Sequence, residues 1–195
     1  MAVTNAPGAT QAAPRTEGLP PAGTWALDTT HTDVSFTARH LMVTKVRGRF
    51  AVSGGNVTIA ENPLESSVEA FIDVASVNSG EAGRDEHLRS ADFFDAEHYP
   101  TITFRSTKVE AAGDGEYKLT GDLTIKDVTK PVTLELEYLG TVASPWGDQR
   151  AGFSATTEIS RKEWGIEYNM ALEAGGVVVG DKIKLNIDAE TILQK

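Results

Sequence analysis

The stretch RDEHLRSADFFDAEHYP, Arg84 to Pro100, concentrates the groups that could do chemistry. It carries two of the chain's four histidines, five acids, two arginines and two adjacent phenylalanines. A histidine beside carboxylates is the raw material of a general base or of a metal site. The spacing supports neither. There is no HExxH frame, and the helical neighbours of His87 are Gly83 and Ala91. Asp92, Asp95 and Glu97 lack the glycine and the closing glutamate of a calcium loop. Ser90 lies three residues from His87, an ordinary helical neighbour, and the chain has neither a GxSxG elbow nor a cysteine. The weak enzymatic alternative is a small hydrolase or isomerase that uses His87 or His98 as general base. The sequence therefore points to no catalytic residues, no metal and no cofactor.

Two other places could meet a ligand. His40 ends an apolar strand face, where a histidine is ordinarily a core or rim residue. Lys45, Arg47 and Arg49 cluster in KVRGRF, with Arg39 and Arg84 as possible neighbours. Such a patch could hold an anionic head group, or it could be a solvated strand face.

The elements that must position these residues are mostly strands. Apolar residues alternate in VSFTARH, SSVEAFIDV, TITFRSTKV, YKLTGDLTIK, VTLELEY, GFSATTEIS and DKIKLNIDAE. Alternation gives each strand one buried and one wet face, the pattern of antiparallel sheet. Turns are expected at Ser53–Asn56, Gly113–Glu116, Lys126–Pro131 and Pro145–Asp148. Hairpins at this spacing build a sandwich or a closed barrel. Glu81 to Phe94 reads instead at the helical period, with Ser79 as a cap and an Asp85–Arg89 pair across one turn. Tyr99, before Pro100, must leave helical geometry. Short helical turns are expected in RHLMVTK and RKEWGIEYNMAL.

The totals narrow the function. A net charge of -10 argues against nucleic acid, which is bound by a basic face. No apolar run approaches the roughly 18 residues of a membrane span. Residues 1–22, rich in Ala, Pro, Thr and Gly, read as a disordered tail before a domain at 23–195. This opening has neither a basic n-region nor an apolar h-region, so the expectation is a cytoplasmic location. An antiparallel barrel of about eight strands can pack its interior or hold one small ligand. Small inward residues (Ala38, Ala70, Gly121, Ala155) leave room, and Phe36, Phe71, Phe104 and Phe153 supply apolar wall.

Four blocks resemble the YceI-like polyisoprenoid-binding family. They are WALDTTHTDVSFTARHLMVTKVRGRF, GRDEHLRSADFFDAEHYPTITFRST, LTGDLTIKDVTKPVTLE and AGFSATTEISRKEWGI. The resemblance implies an all-β fold, a lipocalin-like extended antiparallel barrel with a short inserted helix. It implies a homodimer, which would also cover an exposed sheet edge. It implies a carrier that holds a long apolar amphiphile (an isoprenoid, polyprenyl or quinone-like lipid) inside the barrel. Relatives of this kind are often periplasmic or secreted. The expected cavity wall is Phe36, Ala38, Phe71, Ile102, Phe104, Leu123 and Phe153. The expected mouth or head-group residues are His40, Arg84, His87 and Arg89. The alternative is a stress-related interaction protein with a filled core.

Overall fold

The computed structural model describes residues 19–173 and 176–195. Nine strands run β1 (Gly23–Leu27), β2 (Asp33–His40), β3 (Thr44–Ile59), β4 (Ser67–Asn78), β5 (Thr101–Ala111), β6 (Glu116–Ile125), β7 (Val128–Ala143), β8 (Gln149–Ser160) and β9 (Val179–Leu193). One helix, α1 (Ala82–Arg89), joins β4 to β5, and short 3-10 turns stand at Pro63–Glu65 and Arg161–Trp164. All strand pairings are antiparallel, and a β3–β4 pairing closes the sheet on itself. β1 and β2 both lie between β3 and β9, one after the other along the axis. The nine strands thus form a lipocalin-like barrel of eight staves, one stave broken at Asp28–Thr32. Closure leaves no free sheet edge among the described strands, so the edge argument for a homodimer loses its basis.

Alternation is clearest in β6 and is interrupted by register shifts in β3, β5 and β7. In β6, Tyr117, Leu119, Gly121, Leu123 and Ile125 are buried, while Lys118 and Asp122 are exposed. The turn expected at Ser53–Asn56 does not form. Those residues continue β3, with a register shift between Val52 and Gly54. Gly55 there has φ +147, and a side chain on it would strike the Glu69 carbonyl and Leu27, so the glycines bend a long strand rather than end it. The turn expected at Lys126–Pro131 shrinks to Lys126 and Asp127, because β7 already begins at Val128.

The helix is shorter than its periodicity predicts. Glu81, not Ser79, caps it, accepting from the Gly83 and Arg84 N–H groups at 3.0 and 2.6 Å. Ser79 is engaged by Asp85, which accepts from its N–H and hydroxyl at 2.7 and 2.5 Å. The Asp85–Arg89 pair therefore does not form, and Arg89 donates to the Ala75 and Val77 carbonyls at 3.4 and 3.5 Å. Beyond Ser90 the chain runs in tight turns to Pro100, with Asp95 at φ 50.

The two ends of the barrel differ. One end carries the β2–β3 turn, α1 with residues 90–100, the β6–β7 turn and the segment from Arg161 into β9. Phe50, Val77, Phe93, Trp164 and Ile166 are buried there, backed by Leu88, Phe94 and Tyr168. The other end carries the β3–β4, β5–β6 and β7–β8 connections and both ends of the described chain, while the β1–β2 break lies within its stave.

Candidate functional site: an apolar cavity in one half of the barrel

The cavity is made by inward strand positions in the half of the barrel away from α1. Val34, Val52, Ile72, Phe104, Leu123 and Val132 form its deep wall, and Leu134, Leu136, Ala155, Leu185 and Ile187 continue it. Towards the open end come Leu27, Val57, Ile59, Val68, Tyr138 and Phe153, with Leu19, Pro20, Pro63 and Ser66 around the rim. None of the described residues that line it is charged. Its volume is about 190 Å³. That modestly exceeds an engineered apolar cavity of about 150 Å³ that stays dry and binds benzene. Such a space suits one slim hydrocarbon chain. Burial pushes the Tyr117 phenol up, and Tyr138 adds to the shift, so this wall residue stays neutral. The Trp25 indole N–H donates to the Pro21 carbonyl at 3.1 Å, which ties the rim segment to the barrel.

Beneath the cavity the interior is filled. Phe36 and Phe50 pack at a tilt with centroids 5.5 Å apart, and Phe50 meets Phe94 edge-on at 5.2 Å. Phe93 touches His87 and Tyr168 at 5.0 and 5.2 Å, and His87 meets Tyr168 at 4.7 Å. The Trp164 indole N–H donates to the Leu123 carbonyl at 3.1 Å. Arg161 is buried here and donates to the carbonyls of Ile166, Tyr168, Gly180 and Val179 at 2.7, 2.9, 3.1 and 3.4 Å. Burial lowers its guanidinium from the ordinary arginine value, with the nearby Asp181 opposing.

Of the expected wall, Phe104, Leu123 and Phe153 line the cavity. Ile102 is buried and inward but belongs to the filled layer below, as does Phe36, while Ala38 is buried near the end of β2. Phe71 sits between Ala70 and Ile72, which face the cavity along with Val68, so pleating turns it to the opposite face. Gly121 leaves less room than its size suggests, because the Phe104 ring covers it.

The expected mouth residues form no mouth. His40, Arg84, His87 and Arg89 all stand at the closed end, and none borders the cavity. Arg84 donates to the Ser79 hydroxyl and carbonyl at 2.7 and 2.9 Å, and His87 pairs with Asp92 at 2.8 Å. These hydrogen bonds fasten the closing segment to itself. The open rim instead comes from Leu19, Pro20, Pro63 and Ser66, which carry no periodic signal in the sequence.

Near the open end, on the outside of the barrel, lies a charged cluster. Asp28, His31 and Glu190 bring ligand atoms within 4.8 Å of one another, the spacing of a metal site. Arg150 already supplies the cation. It donates to Asp28 at 2.9 Å, to Glu190, and to both carboxylate oxygens of Asp148 at 3.2 Å. Asp28 is held far below the usual carboxylate range, first by the Thr30 hydroxyl and then by His31, against the opposing cost of burial.

The YceI-like domain family matches residues 25–191, almost the whole barrel. The chain belongs to the YceI-like family. A UPF0312 protein of Vibrio cholerae is 40% identical over 149 residues, covering 75% of this chain and 79% of that protein. Among solved structures, Burkholderia cenocepacia BcnA superposes with a TM-score of 0.71 at 23% identity, over 84% of this chain and 98% of that one. A polyisoprenoid-binding domain from Saccharophagus degradans, implicated in plant cell wall breakdown, gives 0.67 at 16% identity, over 87% and 98%. At these identities both structures speak to the fold. The YceI-like barrel in this chain is open at the end away from its helix.

Proposed function

We propose that this YceI-like protein is a carrier that holds one apolar chain of isoprenoid, polyprenyl or quinone-like character in the cavity, without turning it over. The observation that carries this reading is the cavity itself. Its described lining is aliphatic and aromatic apart from Thr32 and Ser66, carries no charged side chain, and reaches the rim at the end away from α1. Each methylene taken from water into such a wall stabilises by about 0.8 kcal/mol, so a slim chain binds without a charged anchor. The polar head of the ligand would stay at the rim, beside Ser66. Family membership supports the same reading, as does the likeness to the Saccharophagus polyisoprenoid-binding domain.

The test is mass spectrometry of an organic extract of the purified protein, followed by uptake of an added polyprenol or ubiquinone by delipidated protein. The expected result is a bound lipid or saturable uptake. Ala155→Trp, which puts an indole into the wall at mid-height, should abolish uptake of the long chain while the far-UV spectrum is unchanged. Wild-type protein that carries no lipid and takes up none of the added chains would overturn the proposal.

A further inference from the structure

The outer face of β3, β2 and β9 is basic. Lys45 lies in register with Arg39, and Arg47 with Thr37, which in turn lies beside Lys184. Arg49 lies beside Ser35 and Asn186. Arg39, Lys45, Arg47, Arg49 and Lys184 are all exposed, on the face opposite the buried Ala38, Gly48 and Phe50. None of the five forms an ion pair among the described residues. Glu158, in register with Lys184, is taken by Lys182 at 2.9 Å. Asp33 and Asp188 stand together nearer the open end. The face is thus a local reversal of sign on a chain of net charge -10.

At the closed end this face runs into an exposed apolar turn. Leu41, Met42 and Val43 are 40%, 50% and 80% exposed. Leu41 and Met42 also take left-handed backbone, φ 51 and 62, where a hairpin ordinarily has Asn or Gly. Met170, 58% exposed, is brought alongside: the Leu41 N–H donates to the Val178 carbonyl at 2.9 Å, and the Val178 N–H to the Met170 carbonyl at 3.1 Å. Apolar side chains displayed on strained backbone, bordered by unpaired cations, mark a contact surface rather than a solvated loop.

We propose that this end of the barrel docks on an anionic membrane surface. The Leu41–Val43 turn enters the headgroup layer, and Arg39, Lys45, Arg47 and Arg49 rest against lipid phosphates. Charge complementarity selects this occupant. A twofold contact with a second copy would set the basic face against itself, and nucleic acid would leave the apolar turn without a partner. The cavity rim is at the other end, so a docked molecule opens away from the bilayer. This proposal is independent of what fills the cavity.

Because the chain has no cysteine, one introduced thiol can be labelled uniquely. Val43→Cys at the apolar turn and Asp114→Cys in the β5–β6 hairpin would each carry an environment-sensitive fluorophore on the full chain. Vesicles of phosphatidylcholine, alone or mixed with phosphatidylglycerol, would then be titrated in low and high salt. The expected result is a blue shift at position 43 only, with anionic vesicles only, reversed by salt. The triple variant Arg39→Gln, Lys45→Gln, Arg47→Gln should bind about a hundredfold more weakly. Its surface positions leave the core intact, and an unchanged melting temperature checks that. The proposal is overturned by three outcomes: no vesicle binding, binding equal on neutral vesicles, or a shift at position 114 instead of 43. Self-association that replaces vesicle binding in sedimentation, or binding to a DNA duplex without binding to vesicles, overturns it as well.

Discussion

At the residue scale, the polar groups that stand out in this chain serve the backbone. Arg161 spends its guanidinium on carbonyls of the segment that follows it, and Arg84 on Ser79. Asp28 is the clearest case for a pH effect. It accepts from Thr30 at 2.9 and 2.6 Å, from Arg150 at 2.9 Å and from His31 at 2.9 Å, where β1 gives way to β2. Its folded pKa is depressed, led by the Thr30 hydroxyl. The stabilisation is therefore present above the unfolded carboxylate value, about pH 4, and is lost as pH falls through the folded value. Asp28→Asn should lower the melting temperature at neutral pH and flatten its fall in acid. Thermal melts from neutral pH down through the carboxylate range check this, and a variant whose acid profile parallels wild type would refute it. His31 and Asp28 mark the region in the sequence, but Arg150 and Glu190, which complete the cluster, lie far along the chain, so the cluster is not legible there.

At the element scale, α1 and the turns after it act as a stopper. Phe93 packs on His87 within the insert and on Tyr168, and Phe94 on Phe50, which joins the insert to two other parts of the chain, β3 and the segment before β9. Phe93→Ala should cost about 3–5 kcal/mol in urea unfolding, the usual loss for a buried phenylalanine. His87→Ala, which removes a half-exposed ring, should cost clearly less. If the two cost the same, the insert is held by its charges and not by its rings. The existence of a helix here was legible from the break in alternation. Its length was not, because Asp85 turned back to Ser79 and Glu81 took the cap, contacts that periodicity does not encode.

At the scale of the whole molecule, filling the cavity couples to stability. A ligand that binds only the folded barrel raises its stability by RT ln(1 + [L]/Kd), about 2.7 kcal/mol at a hundredfold excess over Kd. Delipidated wild-type protein should therefore melt lower than protein reloaded with a polyprenol. Ala155→Trp should show no such difference. Calorimetry on the matched samples decides it. An equal response of the variant would mean that the ligand binds elsewhere on the barrel.

The sequence by itself determined the class of this protein and the side of each strand that faces inward. Alternation is a local property, set by the period of two of an extended chain, and residue order along a strand is enough to read it. Phe104, Leu123 and Phe153 could be placed on the cavity wall for that reason. Only the tertiary structure decided depth. Ile102 and Phe36 face inward as well, yet they belong to the filled half, because position along the barrel axis depends on how eight staves are staggered and which end the helix closes. The same stagger sent His40, Arg84, His87 and Arg89 to the closed end and made a rim of Leu19, Pro20, Pro63 and Ser66. Inward or outward is decided between neighbours in the chain, whereas open or closed is decided among strands far apart in it.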